Sequence, residues 1–90
     1  MRITFDPVKR DRTLAERELD FAHADQVFAG THFTLDDDRF DYGEVRLITV
    51  GMLNERMVVL VWTPRGEARH IISMRKANER EQVRYQRHLA

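Results

Sequence analysis

The chain of 90 residues contains no cysteine, which excludes both a disulfide framework and a thiolate metal site. Only two prolines and four glycines are present, and no Gly/Ser-rich linker divides the chain. We therefore expect one domain over residues 1–90, stabilised by a single compact core or by a core that a partner completes. The start, MRITFDPVKR, lacks a secretory signal, and no apolar run could span a bilayer. A cytoplasmic protein with no membrane partner is the expectation.

The formal net charge is zero, but the charges are unevenly distributed. Residues 65–90 contain seven Arg or Lys and three Glu, whereas residues 1–64 contain eight basic and twelve acidic residues. A basic tail on an otherwise acidic domain can form a local positive surface despite overall neutrality.

The first helix signal lies at Asp6-Pro7, an N-cap followed by proline at the first helical position, where its missing N–H costs no hydrogen bond. This helix is predicted to end near Glu18. It is almost entirely polar, and Val8 and Leu14 are expected to be its few apolar anchors.

A second helix is predicted to begin at an N-cap on Asp20 and to end at Gly30. Its apolar residues have helical spacing. They are Phe21, Ala24, Val27 and Phe28.

The remaining segments predict a sheet and a last helix. Two β-branched runs flank a turn at Asn54-Glu55, and a third follows the turn at Pro64-Arg65-Gly66. Good helix formers continue from Lys76 to Leu89. An α+β fold is therefore predicted, with N-terminal helices, an antiparallel meander and a C-terminal helix. The predicted strands are RITF, THFTL, EVRLITVGML, RMVVLVWTP and EARHIISMR.

Neither a metal site nor a cofactor is expected. The four histidines, at positions 23, 32, 70 and 88, match no ligand motif. The acidic loop DDDRFDYGE lacks the glycine and the terminal glutamate of a calcium loop at the right offsets. There is also no Gly-rich phosphate loop, nucleophile elbow or Cys–His pair.

Strict alternation along the third long strand would place two arginines and a hydroxyl on one face, with Arg69 and Arg75 on the same side as Ser73. Ala68, His70, Ile72 and Met74 would then point the other way, toward a core. His70 has two interpretations: a hydrogen-bonded histidine beneath a helix, or a group that transfers protons.

The last helix is predicted to carry a basic stripe, while Tyr85 and Leu89 lie on its far side. The stripe consists of Lys76, Arg80, Arg84 and Arg87. It could bind phosphates or be an ordinary solvated face, and Tyr85 could be a docking anchor or a catalytic group. Clustered arginines suit RNA cleavage by the neighbouring 2′-hydroxyl, which needs proton transfer and cations for developing negative charge.

Several segments resemble the BrnT family of type II toxins over nearly the whole chain: FDPVK, LDFAHADQVF, GEVRLITVG and RHIISMRKANEREQVRY. The resemblance implies a RelE-like α+β fold, ribonuclease activity on RNA and growth arrest. It also implies a cognate antitoxin, BrnA, in a 2:2 heterotetramer, and operator DNA bound only through the antitoxin's ribbon-helix-helix region.

The family pattern marks residues in several separate segments. They are Lys9, Glu44, Arg46, Arg65, Ser73, Arg75, Ala77, Glu81 and Tyr85. Together with the strand and helix arginines, this predicts two groups of site residues. The catalytic candidates are Arg69, His70, Arg75, Arg80 and Tyr85, and the RNA-binding candidates are Lys9, Arg65, Lys76, Arg84 and Arg87.

The chain departs from the family pattern at the end of its first helix. Relatives usually show Asn and then Lys-His-Gly where this chain has Thr13 and Glu16-Arg17-Glu18. The main hypothesis is a metal-independent endoribonuclease toxin. The alternative is a catalytically degenerate toxin that still binds its antitoxin and co-regulates transcription. A free-standing RNA-binding domain is a third, weaker hypothesis, since the aromatic residues that could stack bases are expected in the core.

Overall fold

The computed structural model describes residues 1–89, which form five strands, three α-helices and one short 3₁₀ turn. No helix within these residues is both long and apolar enough to cross a membrane. In chain order, the elements are β1 (Arg2–Phe5), α1 (Pro7–Arg17), the 3₁₀ turn (Phe21–His23), α2 (Ala24–Ala29), β2 (His32–Asp36), β3 (Leu47–Leu53), β4 (Arg56–Arg65), β5 (Ala68–Lys76) and α3 (Glu79–Leu89).

The five strands form one sheet in the order β1-β5-β4-β3-β2. Strands β2 to β5 pair antiparallel with their sequence neighbours, so the predicted meander is confirmed. The first strand instead pairs parallel with β5, with Thr4 opposite His70. The α+β class is therefore confirmed, but the sheet is mixed rather than wholly antiparallel.

Each face of the sheet has its own apolar cluster. The larger cluster lies beneath the 3₁₀ turn and α2. The smaller cluster lies beneath α3, which docks through Tyr85 and Leu89. The larger cluster contains Leu19, Phe21, Ala24, Val27, Leu53, Val58, Leu60, Trp62, Ile71 and Met74.

Helix α1 is held by polar contacts rather than by apolar anchors. The prediction for Val8 and Leu14 is wrong, since these residues are 65% and 40% exposed. Instead, Arg10 forms a bidentate pair with Asp20 at 2.8 and 2.9 Å, and this pairing lowers the pKa of the Asp20 carboxyl to about 2. Arg17 Nη1 donates to the Met74 carbonyl at 3.0 Å. The helix is thus fixed to the domain by its arginines.

The ends of the first two helices follow their capping residues. Asp6 accepts from the Val8 N–H and Asp20 from the Ala22 N–H, both at 2.9 Å, which confirms the two predicted N-caps. Helix α1 ends at Arg17, and its C-cap is Glu18, whose φ of 57° is left-handed although it is not glycine. The segment after Asp20 begins as a 3₁₀ turn before α2, and Gly30 ends it as predicted.

A β-bulge in β5 changes which side chains share a face. Val61 pairs with Ser73 but Trp62 pairs with Ile71, so Ile72 is an extra residue. The predicted alternation is therefore wrong across this point. Arg69 lies on the α2 face of the sheet, while His70 and Arg75 lie on the α3 face.

The predicted start of the last helix is also wrong. Lys76 is the final residue of β5, and α3 begins at Glu79, after Asn78. The Asn78 Oδ1 accepts from the Glu81 N–H at 2.8 Å, and the Glu81 carboxylate accepts from the Asn78 N–H at 2.9 Å. This reciprocal capping box fixes the helix start. The helical stripe is thus reduced to Arg80, Arg84 and Arg87.

Candidate functional site

Helix α3 covers only part of its face of the sheet, over Phe33, Val50 and Val59. The neighbouring part of that face carries the half-buried Val61 and Ser73, which pair across β4 and β5. We call this part the open face. It is bordered by α3 on one side and by the loop of residues 37–46 on another, so functional side chains there remain accessible to a large ligand.

His70 lies at the β1 end of the open face. Its Nδ1 is 2.9 Å from the Thr4 hydroxyl oxygen. Burial lowers the pKa of the His70 imidazole, and the positive charges of Arg65 and Lys9 lower it further. The carboxylates of Glu44 and Asp6 act in the opposite direction, but the net shift is downward. The imidazole is therefore neutral near pH 7 and is able to accept a proton.

The cations around His70 are organised by Glu44. Its carboxylate oxygens lie 3.5 Å from Arg46 Nε and 4.0 Å from Arg65 Nη2. The Arg65 side chain is 56% exposed, so most of its donors remain available to a ligand. The adjacent Thr63 hydroxyl donates to the Val45 carbonyl at 2.6 Å and holds this loop against β4.

Arg75 lies at the α3 end of the open face. It donates to both oxygens of Glu81, at 2.7 and 2.9 Å. Hydrogen bonding from Arg75 lowers the pKa of the Glu81 carboxyl to about 2. Glu81 is thus a carboxylate that orients Arg75 and caps α3. Its low pKa makes it a poor proton acceptor at neutral pH.

Tyr85 packs at the same end, edge-on to the Phe33 ring at 5.3 Å between centroids, within the smaller apolar cluster. This contact supports its interpretation as the anchor that docks α3. The Arg84 guanidinium lies 6.0 Å from the Tyr85 ring and also acts electrostatically on Glu81. Arg84 is therefore beside the Arg75–Glu81 pair, on the border of the open face.

In the loop of residues 37–46, the family pattern marked Glu44 and Arg46, but the part from Asp37 to Tyr42 was not recognised from the sequence as part of the site. Its fixed point is Asp37, a buried carboxylate that accepts from Arg39 at 2.7 and 2.9 Å and from the Tyr42 hydroxyl at 3.3 Å. Arg39 is close enough to Arg75 to act on it electrostatically. The acidic run that suggested a calcium loop instead positions an arginine.

Arg69 does not belong to this group. Its guanidinium lies 3.9 Å from the centroid of the Phe28 ring and 5.5 Å from that of Trp62, on the α2 face. The prediction that Arg69 and Arg75 lie on the same face is therefore wrong. His70 and Arg75 share the open face, but they lie five positions apart along the strand, a separation of roughly 15 Å. Lys76, Arg80 and Arg87 are exposed.

The open face thus combines an accessible neutral histidine with several exposed cations and a hydroxyl. Its shallow shape and charge fit an anionic polymer rather than a small molecule enclosed in a cavity. An open depression of about 690 Å³, lined by Met1, Arg2, Gly66 and Glu67, lies elsewhere and contains none of these side chains. Fold and site together define a small α+β protein with an arginine-rich surface suited to a nucleic acid.

The sequence profile of one protein family matches residues 5–81 and is described as the ribonuclease toxin, BrnT, of type II toxin–antitoxin systems. The chain belongs to this family, and the resemblance seen in the sequence is confirmed. Membership implies an RNA substrate and an antitoxin partner. A comparison with individual curated proteins gives no significant match.

Most of the residues marked by the family pattern meet on or beside the open face, although they come from distant parts of the chain. One group surrounds His70 and another surrounds Arg75. Ala77 is buried beneath α3. The His70 group contains Lys9, Glu44, Arg46 and Arg65, and the Arg75 group contains Ser73, Glu81 and Tyr85.

Proposed function

We propose that this toxin is an endoribonuclease that cuts RNA on the open face without a metal ion. His70 is the general base, and the observation that carries the proposal is its environment. A half-buried imidazole with a lowered pKa lies beside Lys9 and Arg65 on an accessible surface. A neutral base can remove the proton of a 2′-hydroxyl, and neighbouring cations can stabilise the charge that develops during in-line attack.

In the proposed reaction, His70 Nε2 removes the proton from the ribose 2′-hydroxyl, while Thr4 fixes the ring through Nδ1. The 2′-oxygen then attacks the adjacent phosphorus, and the bond to the 5′-oxygen breaks. Water protonates the leaving oxygen, and the strand that carried the attacking hydroxyl ends in a 2′,3′-cyclic phosphate. Arg65 and Lys9 stabilise the negative charge that develops on the phosphoryl oxygens.

Arg75 has a separate role in this proposal. It lies roughly 15 Å from His70 along β5, so it binds a flanking phosphate rather than the scissile one. Arg84 extends this contact from α3, while Tyr85 holds the helix in place. Arg80 is assigned no role in the chemical step because it is exposed in the first turn of α3.

The wider biological assignment extends family membership. The fold is proposed to be RelE-like, with a helix packed across one face of a small sheet. The protein would act in the cytoplasm, arrest growth and be neutralised by a BrnA-like antitoxin in a 2:2 heterotetramer. Operator DNA would be bound only through the antitoxin. The basic open face suits an acidic antitoxin segment, which would block RNA directly.

Purified protein incubated with RNA in EDTA tests the reaction. We expect cleavage with cyclic phosphate ends, and no cleavage where the attacking nucleotide lacks its 2′-hydroxyl. His70→Gln should reduce the rate at least about a hundredfold, with RNA affinity retained, because a base is lost but no charge. If EDTA abolishes cleavage and magnesium restores it, the mechanism is wrong. Cleavage at the parent rate by a destabilised His70→Gln would make His70 a core residue instead.

A catalytically degenerate toxin is the second candidate. One observation favours it: Arg17, where relatives usually have histidine, is engaged with the Met74 carbonyl at 3.0 Å and is used structurally. This hypothesis predicts tight antitoxin binding and co-regulation of the promoter, but no RNA cleavage in the assay above.

A further inference from the structure

The loop of residues 37–46 has a fixed shape around its tip. The Asp37 carboxylate binds Arg39 and Tyr42, and the Asp37 N–H donates to the Arg46 carbonyl at 2.9 Å. Tyr42 is also covered by the Arg46 guanidinium, 3.9 Å from the ring centroid. These contacts join both ends of the loop and fix the residues on either side of Phe40.

Phe40 itself is left in solvent. The residue is 70% exposed, and its ring lies nearly perpendicular to that of Tyr42, at 5.8 Å between centroids. A single exposed apolar residue is common on protein surfaces and does not by itself indicate a ligand. Phe40 differs from such an isolated residue because arginines lie near it in the loop. Arg39 precedes Phe40 in the sequence and acts electrostatically on Arg75. Arg46 is stacked on Tyr42, the ring next to Phe40.

An exposed aromatic ring among cations that bind a phosphate chain is the combination by which proteins hold single-stranded nucleic acid. The phosphates follow the arginines, and a base stacks on the ring. We propose that Phe40 stacks against a nucleobase of the bound RNA strand and so helps to fix the register of the strand relative to His70. This inference rests on the proposed function, since it takes RNA as the ligand of the open face.

Equilibrium binding to an oligonucleotide of 2′-O-methyl RNA, which lacks the attacking hydroxyl and is not cut, tests stacking apart from cleavage. Phe40→Ala and Phe40→Leu should weaken binding by roughly 5- to 100-fold, the range for loss of one stacked base. Phe40→Tyr and Phe40→Trp keep an aromatic face and should bind like the parent. Val45→Ala is the matched control, because Val45 is an apolar side chain of the same loop, 64% exposed, without a ring.

Two further measurements identify the stacking partner. In the Phe40→Trp variant, RNA should quench the fluorescence of the new indole, while the parent gives the reference signal of Trp62, which is only 7% exposed. An oligonucleotide with one abasic position, moved along the strand, should lose affinity for the parent at one position and not for Phe40→Ala. In the cleavage assay, Phe40→Ala should raise KM more than it lowers kcat.

The possible results separate this inference from the proposed function. If the parent neither binds nor cuts RNA, both fail. If the parent cuts RNA and all four Phe40 variants bind like it, only the stacking assignment is overturned. Equal binding by Phe40→Leu and the parent, with weak binding by Phe40→Ala, would show an apolar contact without stacking. Loss of antitoxin affinity alone in Phe40→Ala would assign the ring to the protein partner.

Discussion

Arg69 and Arg75 lie on the same strand, yet their guanidinium groups are on opposite faces of the sheet. Arg69 is stacked over Phe28 on the α2 face, and Arg75 is bound by Glu81 on the α3 face. Without a bulge, two residues six positions apart would lie on the same face. The extra residue at Ile72 shifts the alternation by one position, so Arg69 and Arg75 lie on opposite faces. As a result, one arginine supports the core and the other remains accessible to a ligand.

This division predicts different consequences for the two arginines. Arg69→Ala should lower the free energy of unfolding by about 1–2 kcal/mol, because a stacked cation and its aliphatic stem are lost from two aromatic rings. The cleavage rate per folded molecule should be unchanged. Arg75→Ala should weaken RNA binding while most of the stability remains. Denaturant unfolding and RNA titration of both variants would check this, and a catalytic defect in Arg69→Ala at full folding would contradict it.

The His70 pKa should respond to its charged neighbours with opposite signs. Arg65→Gln removes a positive charge and should raise the pKa, whereas Glu44→Gln removes a negative charge and should lower it. Imidazole proton NMR during a pH titration measures both shifts directly. If His70 is the base, the acidic limb of the pH–rate profile should move up in Arg65→Gln and down in Glu44→Gln. Two shifts of the same sign would mean that the charges do not act on His70.

Glu81 should make folding sensitive to acid. The folded-state pKa of about 2 lies below the ordinary value of 4.5, so the carboxylate stabilises the fold above pH 4.5, and this contribution is lost as pH falls toward 2. We expect about 1–2 kcal/mol, reduced by solvent screening because the Arg75 side chain is 45% exposed. Glu81→Gln should be less stable than the parent at pH 7, and the gap should narrow by pH 2. A constant gap would assign the effect to packing.

The left-handed Glu18 is a position where glycine should stabilise the fold. Its φ of 57° carries a steric cost for any residue with a Cβ. Glu18→Gly should therefore raise the unfolding free energy by about 0.5–1 kcal/mol. Glu16→Gly is the matched control, since it removes the same charge from within α1 and should destabilise instead. Thermal unfolding of the parent and both variants would measure these opposite changes in stability. A destabilised Glu18→Gly would mean that its side chain contributes more than the backbone strain costs.

The parts of the fold that the sequence predicted correctly are those set by local chemistry. Asp6 and Asp20 cap helices because each side chain accepts a hydrogen bond from the backbone N–H two residues further on, which needs no distant partner. The Asn54-Glu55 turn was also predicted, and both residues have positive φ, as a tight hairpin between right-twisted strands requires. These features depend on a few adjacent residues, and tertiary packing does not alter them.

The errors have different causes, and only the first depends on a contact with a distant part of the chain. Nothing in the run RHIISM indicates which residue is bulged, because β4 on the neighbouring strand sets the register. The loop around Asp37 was missed because the sequence of this segment is that of an ordinary solvated acidic run. Nothing in it indicates that Asp37 is buried and paired with Arg39. The α3 capping box, in contrast, was readable: Asn78 followed by Glu81 is its ordinary pattern, and it would have placed Lys76 outside the helix.

The last prediction concerns which arginines of α3 meet RNA. The helix docks through a row at Glu81, Tyr85 and Leu89, the half-buried positions of this element. At 100° per residue, Arg84 lies on the flank of that row, and Arg87 lies on the side turned away from the sheet. Arg84 also acts on Glu81, at the border of the open face. Arg84 should therefore contact a phosphate, and Arg87 should not.

Single substitutions by glutamine separate the two, because each removes one charge from an exposed helical position with good helix propensity. Arg84→Gln should weaken RNA binding and reduce the slope of log affinity against log salt by about one phosphate equivalent. Arg87→Gln should leave both nearly unchanged. The maximal cleavage rate at saturating RNA should stay constant in both, since a contact made equally in substrate and transition state does not lower the chemical barrier. Equal losses in the two variants would indicate that RNA follows the outer surface of α3, and no loss in either would make the helix arginines a solvated face.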